Sequence, residues 1–430
     1  MNSKASYIYI AIFFFTLIFS FFLKFDISNG GSSSDLSYHW KYILALKEDI
    51  SILFEYNHTY KNGYPQHYPL HHLIISRFDF LLIKKEYYLN FYFILSLFLP
   101  ILFYYCLENI FPEIDTIKKI FISSIIYFLP NFQSSAVWGN SHISALFFLL
   151  GSLYFLNNLE KKDVKRKNFN IFFIVFFMAC AAYTRQYYVI FFPYLFVNIL
   201  LITKYKNIIF FCLLSLILSI PGIFFVINNP IMYVGLLAEY TDFSSSILIV
   251  LSILFLYLFP FFISNLKYNF FRSLELFKNK IFSVIFFLLS IIFLYIFFNF
   301  DYIGYLGGGF FYKISKVLIG NNLLFFITAF SGMFLCFYFF GKRPQDIILI
   351  MIILISFSNG YAIFQKYFEP MVLILFFLLI KKDIIKKIFD FNIHAIFFYF
   401  LCYWLSYFIY ASNWIKKMSL LLPSISTMPY

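Results

Sequence analysis

Apolar runs of about eighteen residues or more recur through this sequence, separated by short polar pieces. The first, from Tyr7 to Leu23, contains no charged residue. A bilayer core about 30 Å thick is crossed by about 20 apolar residues at 1.5 Å each. Runs of this length and number therefore predict an all-α, polytopic transmembrane helical bundle. Composition agrees: 62% of residues are hydrophobic and 12% charged, against about 25% charged in soluble domains. The pattern predicts about thirteen spans, near 6–23, 89–108, 118–130, 141–157, 169–182, 186–203, 207–226, 246–264, 281–299, 322–340, 346–358, 369–381 and 394–410. Several are short enough to be tilted, broken or re-entrant. Residues 1–430 are expected to form a single integral membrane domain. The first run reads as an uncleaved span rather than a signal peptide, because it passes through Phe21, Phe22, Leu23 and Lys24 with no small-residue cleavage site.

The net charge of +13 does not call for nucleic acid in such a chain, because Lys and Arg retain loops on the cytoplasmic side. With the N-terminus inside and the spans alternating, the inner pieces hold most of the 33 basic residues. They include Lys4, Lys118, Lys119, Lys161, Arg166, Lys204, Lys206, Arg343, Lys381 and Lys382. Outside the long loop 24–88, the outer pieces keep only Arg185, Lys313, Lys316, Lys366, Lys416 and Lys417. The C-terminal tail 411–430 is then extracytoplasmic. The five cysteines lie scattered in apolar spans without metal or disulfide spacing. Gly307-Gly308-Gly309 lacks the Lys-Ser/Thr of a phosphate loop.

Loop 24–88 is the one long polar segment. It holds five of the seven histidines: His39, His58, His67, His71 and His72. Ser32 to Ser34 supply N-cap candidates for a helix starting near Asp35. Apolar residues at Leu36, Trp40, Ile43, Leu44 and Ile50 then mark an amphipathic helix on the membrane surface. Asp35 would sit in its first turn, where the helix dipole favours an ionised carboxylate, placed for general-base work on a sugar hydroxyl. The competing reading makes Asp35 a helix cap. Two Tyr-Pro steps follow at Tyr64-Pro65 and Tyr68-Pro69, and a second surface helix is expected to about Leu82. His67 and His71 have i,i+4 spacing, but Pro69 between them works against a shared metal. Hydrogen bonding to a polar substrate is the better reading for His71. Asn57-His58-Thr59 is a glycosylation sequon.

Arg185 and Gln186 stand between two apolar runs on the side where basic residues are scarce. An ionisable group there is costly and usually functional, and a guanidinium can grip a phosphate bidentately. The competing reading is snorkelling to headgroups. Lys366, Tyr367 and Glu369 make a later polar group before a long apolar run.

Asp35, Tyr38 and His39 form an Asp-x-x-aromatic-His pattern after the first span, and Arg185-Gln186 ends a middle span. Together these resemble the GT-C superfamily of polytopic glycosyltransferases that use polyprenyl-phosphate sugars. The pattern looks most like the dolichyl-phosphate-glucose α-1,2-glucosyltransferases and their bacterial relatives. Gln365-Lys366-Tyr367 looks similar to that family's late Arg-His-Tyr segment. Leu36 stands where the family has a second acid, and Tyr187-Tyr188 where it has Thr-Asn. The resemblance implies transfer of a sugar from a polyprenyl-phosphate-linked donor to a glycan or lipid-linked acceptor on the extracytoplasmic face, within the lipid bilayer. Asp35 would be the catalytic base, and Tyr38, His39, His71, Arg185, Gln186, Lys366 and Tyr367 substrate-binding residues. No cofactor is implied, and whether a divalent metal assists stays open. The membrane would be a bacterial inner membrane, or alternatively that of the endoplasmic reticulum. Two other functions fit the composition: an O-antigen-type polymerase or ligase, which usually carries its large outer loop late in the chain, and a transporter or flippase, which would have paired repeats and mid-membrane ionisable groups.

Overall fold

The computed structural model describes residues 3–27, 31–65, 67–161, 166–230, 243–265, 300, 302, 307–340, 343–358 and 363–411. Among the described residues all regular structure is helical. Seven helices are long and apolar enough to cross a membrane, and two bent pairs raise the number to nine. That places the chain among helical membrane proteins. The expected span 281–299 and the tail 412–430 lie outside the described residues. By contact the chain divides into two compact units, Met1–Ala238 with Trp404–Ile415 and Glu239–Tyr403 with Lys416–Tyr430.

In the first unit, α1 (Ser3–Phe22) and α6 (Lys85–Ile110) are the spans that flank loop 24–88. The 26 residues of α6 rise about 39 Å, long enough to cross with tilt. The expected span near 118–130 is broken. Helix α7 (Thr116–Ser124) is capped by Asp115, whose Oδ1 accepts from Ile117 N at 2.9 Å. A 3-10 turn follows, and α8 (Pro130–Val137) then leaves at 65°. Pro130 suits the first position of a helix and cannot continue one from before it. The segment 131–140, left between two expected spans, is therefore mostly helical. Every residue of α8 is buried, including Gln133, whose four hydrogen-bonding positions are all used. Its Oε1 accepts from Ser20 Oγ and Trp404 Nε1, each at 2.8 Å, while Nε2 donates to Tyr127 O at 2.8 Å and Thr16 Oγ1 at 3.2 Å. A saturated amide of this kind is the condition for burying one in an apolar unit.

Three more spans complete this unit: α9 (His142–Leu159), α10 (Lys167–Thr184) and α12 (Tyr205–Asn228). Between the last two, 186–202 is a 3-10 turn followed by the short α11 (Phe191–Ile202). The second unit contains α13 (Phe243–Ile263), α14 (Gly309–Ile319), α15 (Leu323–Phe340) and α16 (Pro344–Ser358). It also contains α17 (Met371–Leu379) and α18 (Lys382–Ile388), and α19 (Ile393–Ala411) begins in it. The expected span 369–381 is the nine-residue α17, wholly buried and at about 14 Å too short to cross. Arg343 NH2 donates to its terminal carbonyl, Leu379 O, at 2.5 Å. Hydropathy alone does not separate such an interior half-helix from a true span; among the described residues, which leave out the expected span 281–299, seven to nine candidate spans stand against the expected thirteen.

Loop 24–88 folds onto the first unit as a set of helices. Helix α2 (Gly31–Glu48) starts four residues before Asp35, so Asp35 lies in its second turn and not its first. The N-terminal anion is Asp26, whose Oδ2 accepts from Ser33 N at 3.1 Å. The buried stripe of α2 is Ser32, Leu36, His39, Tyr42, Ile43 and Leu46. It is mixed in polarity because it packs on the histidine-bearing α4 (Leu70–Ile75). Ile50, expected on the lipid stripe, is exposed. The expected second surface helix is two short ones, α4 and α5 (Asp79–Leu82). The sequon residue Asn57 is buried, its N–H donating to Asn228 O at 2.6 Å, and Thr59 Oγ1 donates to Asn229 Oδ1 at 3.3 Å.

Candidate functional site

The turn between α8 and α9 is the floor of the site. Gly139 has φ +63°, and a Cβ there would lie 2.5 Å from Tyr88 Cε1. Both the backbone and the close ring thus require glycine. Two phenols from α6 pin the turn: Tyr88 OH donates to Gly139 O and Tyr92 OH to Asn140 O, each at 2.5 Å. With its proton committed, Tyr88 OH accepts from His71 Nε2 at 3.1 Å. His71 is therefore the Nε2–H tautomer, and its Nδ1 accepts from Ser144 Oγ at 3.0 Å; the proton positions follow from the network. Both nitrogens of His71 are engaged in bracing the 139–144 turn.

Arg185 ends α10 in an extended conformation, φ −145° and ψ 111°, which swings its side chain back toward that turn. It is 2% exposed. NH2 donates to Asn140 Oδ1 at 2.7 Å, and NH1 donates to His67 Nε2. His67 accepts there and is neutral at that nitrogen. Arg185 Nε, Asn140 Nδ2 and Ser141 Oγ are buried without a hydrogen-bond partner among the described residues. No carboxylate pairs with Arg185 among them either. An unpaired buried guanidinium is strongly disfavoured unless an anion completes it.

Next to it, His39 Nδ1 lies 2.7 Å from His72 Nε2. The two rings are 5.0 Å apart and nearly parallel, and the His67 ring stacks on His39 at 6.1 Å. Burial, then His39, His71 and Arg185, hold His72 well below the ordinary histidine range. Burial, with Arg185 adding to it, pushes His71 down to about 3. Burial likewise lowers His58, whose Nε2 lies 2.8 Å from Tyr42 OH. These three histidines are held neutral at physiological pH, and Arg185 is the permanent charge of the cluster. Among the described residues no three His, Cys, Asp or Glu side chains are arranged to hold a metal ion.

The structure thus brings His39, His71 and Arg185 together in one cluster of hydrogen bonds and ring contacts. Gln186 follows Arg185 directly in the adjoining 3-10 turn. Asp35 is half-buried on α2, one turn before His39 and on the same face. Tyr38 is 53% exposed. Lys366 and Tyr367 belong to the second unit, where the Lys366 ammonium lies 5.2 Å from the Phe364 ring and 5.9 Å from that of Tyr367. In that unit Glu369 is buried, its Oε1 accepting from Tyr257 OH at 2.6 Å and from Tyr403 OH. Gln365 Nε2 donates to both phenols.

Sequence reasoning named His67 and His72 without giving them a partner, and missed Asn140, Ser141, Ser144, Tyr88 and Tyr92. Nothing in the Trp138-Gly139-Asn140 step announces a partnership with residues 45 or more positions away. Comparison with protein-family models, curated proteins and solved structures finds no match to this chain.

Proposed function

We propose that this chain is a membrane glycosyltransferase that moves a sugar from a polyprenyl-phosphate donor to a glycan or lipid-linked acceptor on the extracytoplasmic face. The observation that carries the reading is the Arg185 guanidinium. Among the described residues it is buried without a carboxylate, and unpartnered groups on its own Nε, on Asn140 and on Ser141 adjoin it. A single oxyanion would complete that set, and a lipid phosphate at the end of a span is an oxyanion that the bilayer itself delivers. In the transfer step the acceptor hydroxyl attacks the anomeric carbon, and the bond from that carbon to the phosphate oxygen breaks. Asp35 takes the hydroxyl proton. Arg185 and Asn140 stabilise the charge left on the departing phosphate. His39 and the exposed Tyr38 would then lie near sugar hydroxyls. The loop that carries Asp35 and the helix end that carries Arg185 belong to one compact unit, as a shared site requires.

The test is mass spectrometry of lipid-linked oligosaccharides and cell-surface glycans from cells with and without the gene. Purified protein should in parallel be supplied with polyprenyl-phosphate sugar. Loss of one sugar residue from a glycan, restored by wild-type protein, is the expected result. Unchanged glycans together with movement of an intact lipid-linked sugar across vesicles would replace this reading with a flippase.

A further inference from the structure

We propose that the buried His39–His72 pair is a proton-binding site coupled to the oxyanion site at Arg185: the pair takes up one proton as an anion settles against the guanidinium and returns it when the anion leaves. The proposal rests on the reading of Arg185 as the holder of a phosphate oxyanion. It adds a second, positively charged ligand to that site.

The geometry is that of a shared proton. The two ring nitrogens are 2.7 Å apart, the rings are 14° from parallel, and the residues are 3% and 0% exposed. A neutral pair holds one proton between these nitrogens, and a further proton makes it an imidazole–imidazolium pair. That pair is joined by a charge-assisted hydrogen bond, the stronger kind. His72 Nδ1 is buried with no hydrogen-bond partner among the described residues, so the pair has a nitrogen free to carry the added proton.

The groups around the pair decide when it is charged. From α2 come Tyr42, whose ring is 4.9 Å from that of His72, and Asp35, one turn before His39. From α4 comes His71, neutral and committed to Tyr88 and Ser144. From the segment before α4 come His67, stacked on His39, and Tyr64, stacked on Tyr42. From the end of α10 comes Arg185, reached through His67. Arg185 is the permanent positive charge in this set, and with burial it keeps the proton off. An oxyanion bound to Arg185 cancels that opposition. Burial still resists the charge, so uptake belongs to mildly acid conditions.

The experiment is calorimetric titration of the purified full-length protein with sulfate and with farnesyl-phosphoryl glucose. Neither probe titrates near neutrality. Two buffers of different ionisation enthalpy are compared at about pH 6 and about pH 8, either side of the ordinary histidine value. Uptake approaching one proton per anion bound at the lower pH, absent at the higher, is expected. His72→Gln should keep anion binding and lose the uptake. Binding with no buffer dependence at either pH, or uptake that survives His72→Gln, overturns the proposal and leaves the glycosyltransferase reading standing. A ligand-free arm keeps the two separable. In Arg185→Gln the pair holds its proton more readily, so acid should remove less stability, relative to the same variant at about pH 8, than it does in wild type. That difference should vanish when His72→Gln is added. Parallel profiles would overturn the coupling even if neither probe binds, whereas failure of wild type to bind either probe counts against the functional reading.

Discussion

Arg185 and Asn140 are tied side chain to side chain, NH2 to Oδ1 at 2.7 Å, although 45 positions separate them. The bond orients the guanidinium and turns the Asn140 amide so that Nδ2 is left over. If Arg185 holds the donor phosphate as proposed, Arg185→Ala should weaken donor binding far more than acceptor binding. A hydrogen bond to a charged group is worth about 1.5–3 kcal/mol, so KM for the polyprenyl-phosphate sugar should rise roughly ten- to hundred-fold. Arg185→Lys should recover only part of this, because a point charge cannot reach Asn140, His67 and a phosphate as a planar fork does. Equal losses toward donor and acceptor would mark the residue as structural.

Asp35 is half-buried in the second turn of α2, above the His39 that enters the cluster. Asp35→Asn keeps size and helix position but removes the proposed proton acceptor. Transfer should fall by about 10²–10⁴-fold while expression, melting temperature and donor binding stay at wild-type values. Because Asp26 and not Asp35 caps α2, the substitution leaves the helix start intact. Full transfer activity in Asp35→Asn would remove Asp35 from the mechanism.

The helical character of the chain and the positions of α1, α6, α9, α10, α12, α13 and α15 could be read in hydropathy, because a lone span must satisfy its backbone within itself. The buried helix α8 after Pro130 could not, since the polar run Asn131 to Ser135 reads as a loop between two spans. The interior half-helix α17 reads as a span because its run is continuously apolar. At the candidate site Asp35, His39 and Arg185 stood out as polar residues in an apolar chain. The roles of their companions did not, because His72, Asn140 and Tyr88 acquire meaning only when α4, the 139–144 turn and α6 are brought together in space. His71 shows the reverse: it was conspicuous in sequence, yet both its nitrogens are occupied by Ser144 and Tyr88.

Acid should destabilise the first unit well above the carboxylate range. His71 and His72 bind protons in the native state only far below their unfolded value near 6.5. Below about pH 6.5 the unfolded chain therefore binds more protons than the native one, and stability falls as pH falls, by about 1.4 kcal/mol per pH unit for each such histidine. For His71 the loss continues until about pH 3, where the native ring also protonates. Above pH 6.5 these groups contribute no slope. Thermal melts in detergent from neutral pH downward should show this, and His71→Gln should flatten part of the acid limb. A melting temperature that is flat through the histidine range would mean the rings are not held neutral.

Gly139 and Tyr88 should behave as a coupled pair. Gly139→Ala places a Cβ within 2.5 Å of the Tyr88 ring at a backbone φ of +63°. The ring cannot move aside cheaply, because its hydroxyl is bonded to Gly139 O and to His71 Nε2. Strain and overpacking together should cost roughly 2–4 kcal/mol. The displaced 139–144 turn should also carry Asn140 away from Arg185, so donor affinity should fall along with stability. Tyr88→Phe keeps the ring and strands buried hydrogen-bonding groups, costing about 1–3 kcal/mol. The decisive measurement is the double variant Gly139→Ala with Tyr88→Leu, where the smaller side chain makes room for the new methyl. Its loss of stability should be smaller than the sum of the two single losses by about 1 kcal/mol or more, as expected of residues in contact. Strict additivity would show that the turn tolerates a side chain at position 139 and that the phenol does not hold it.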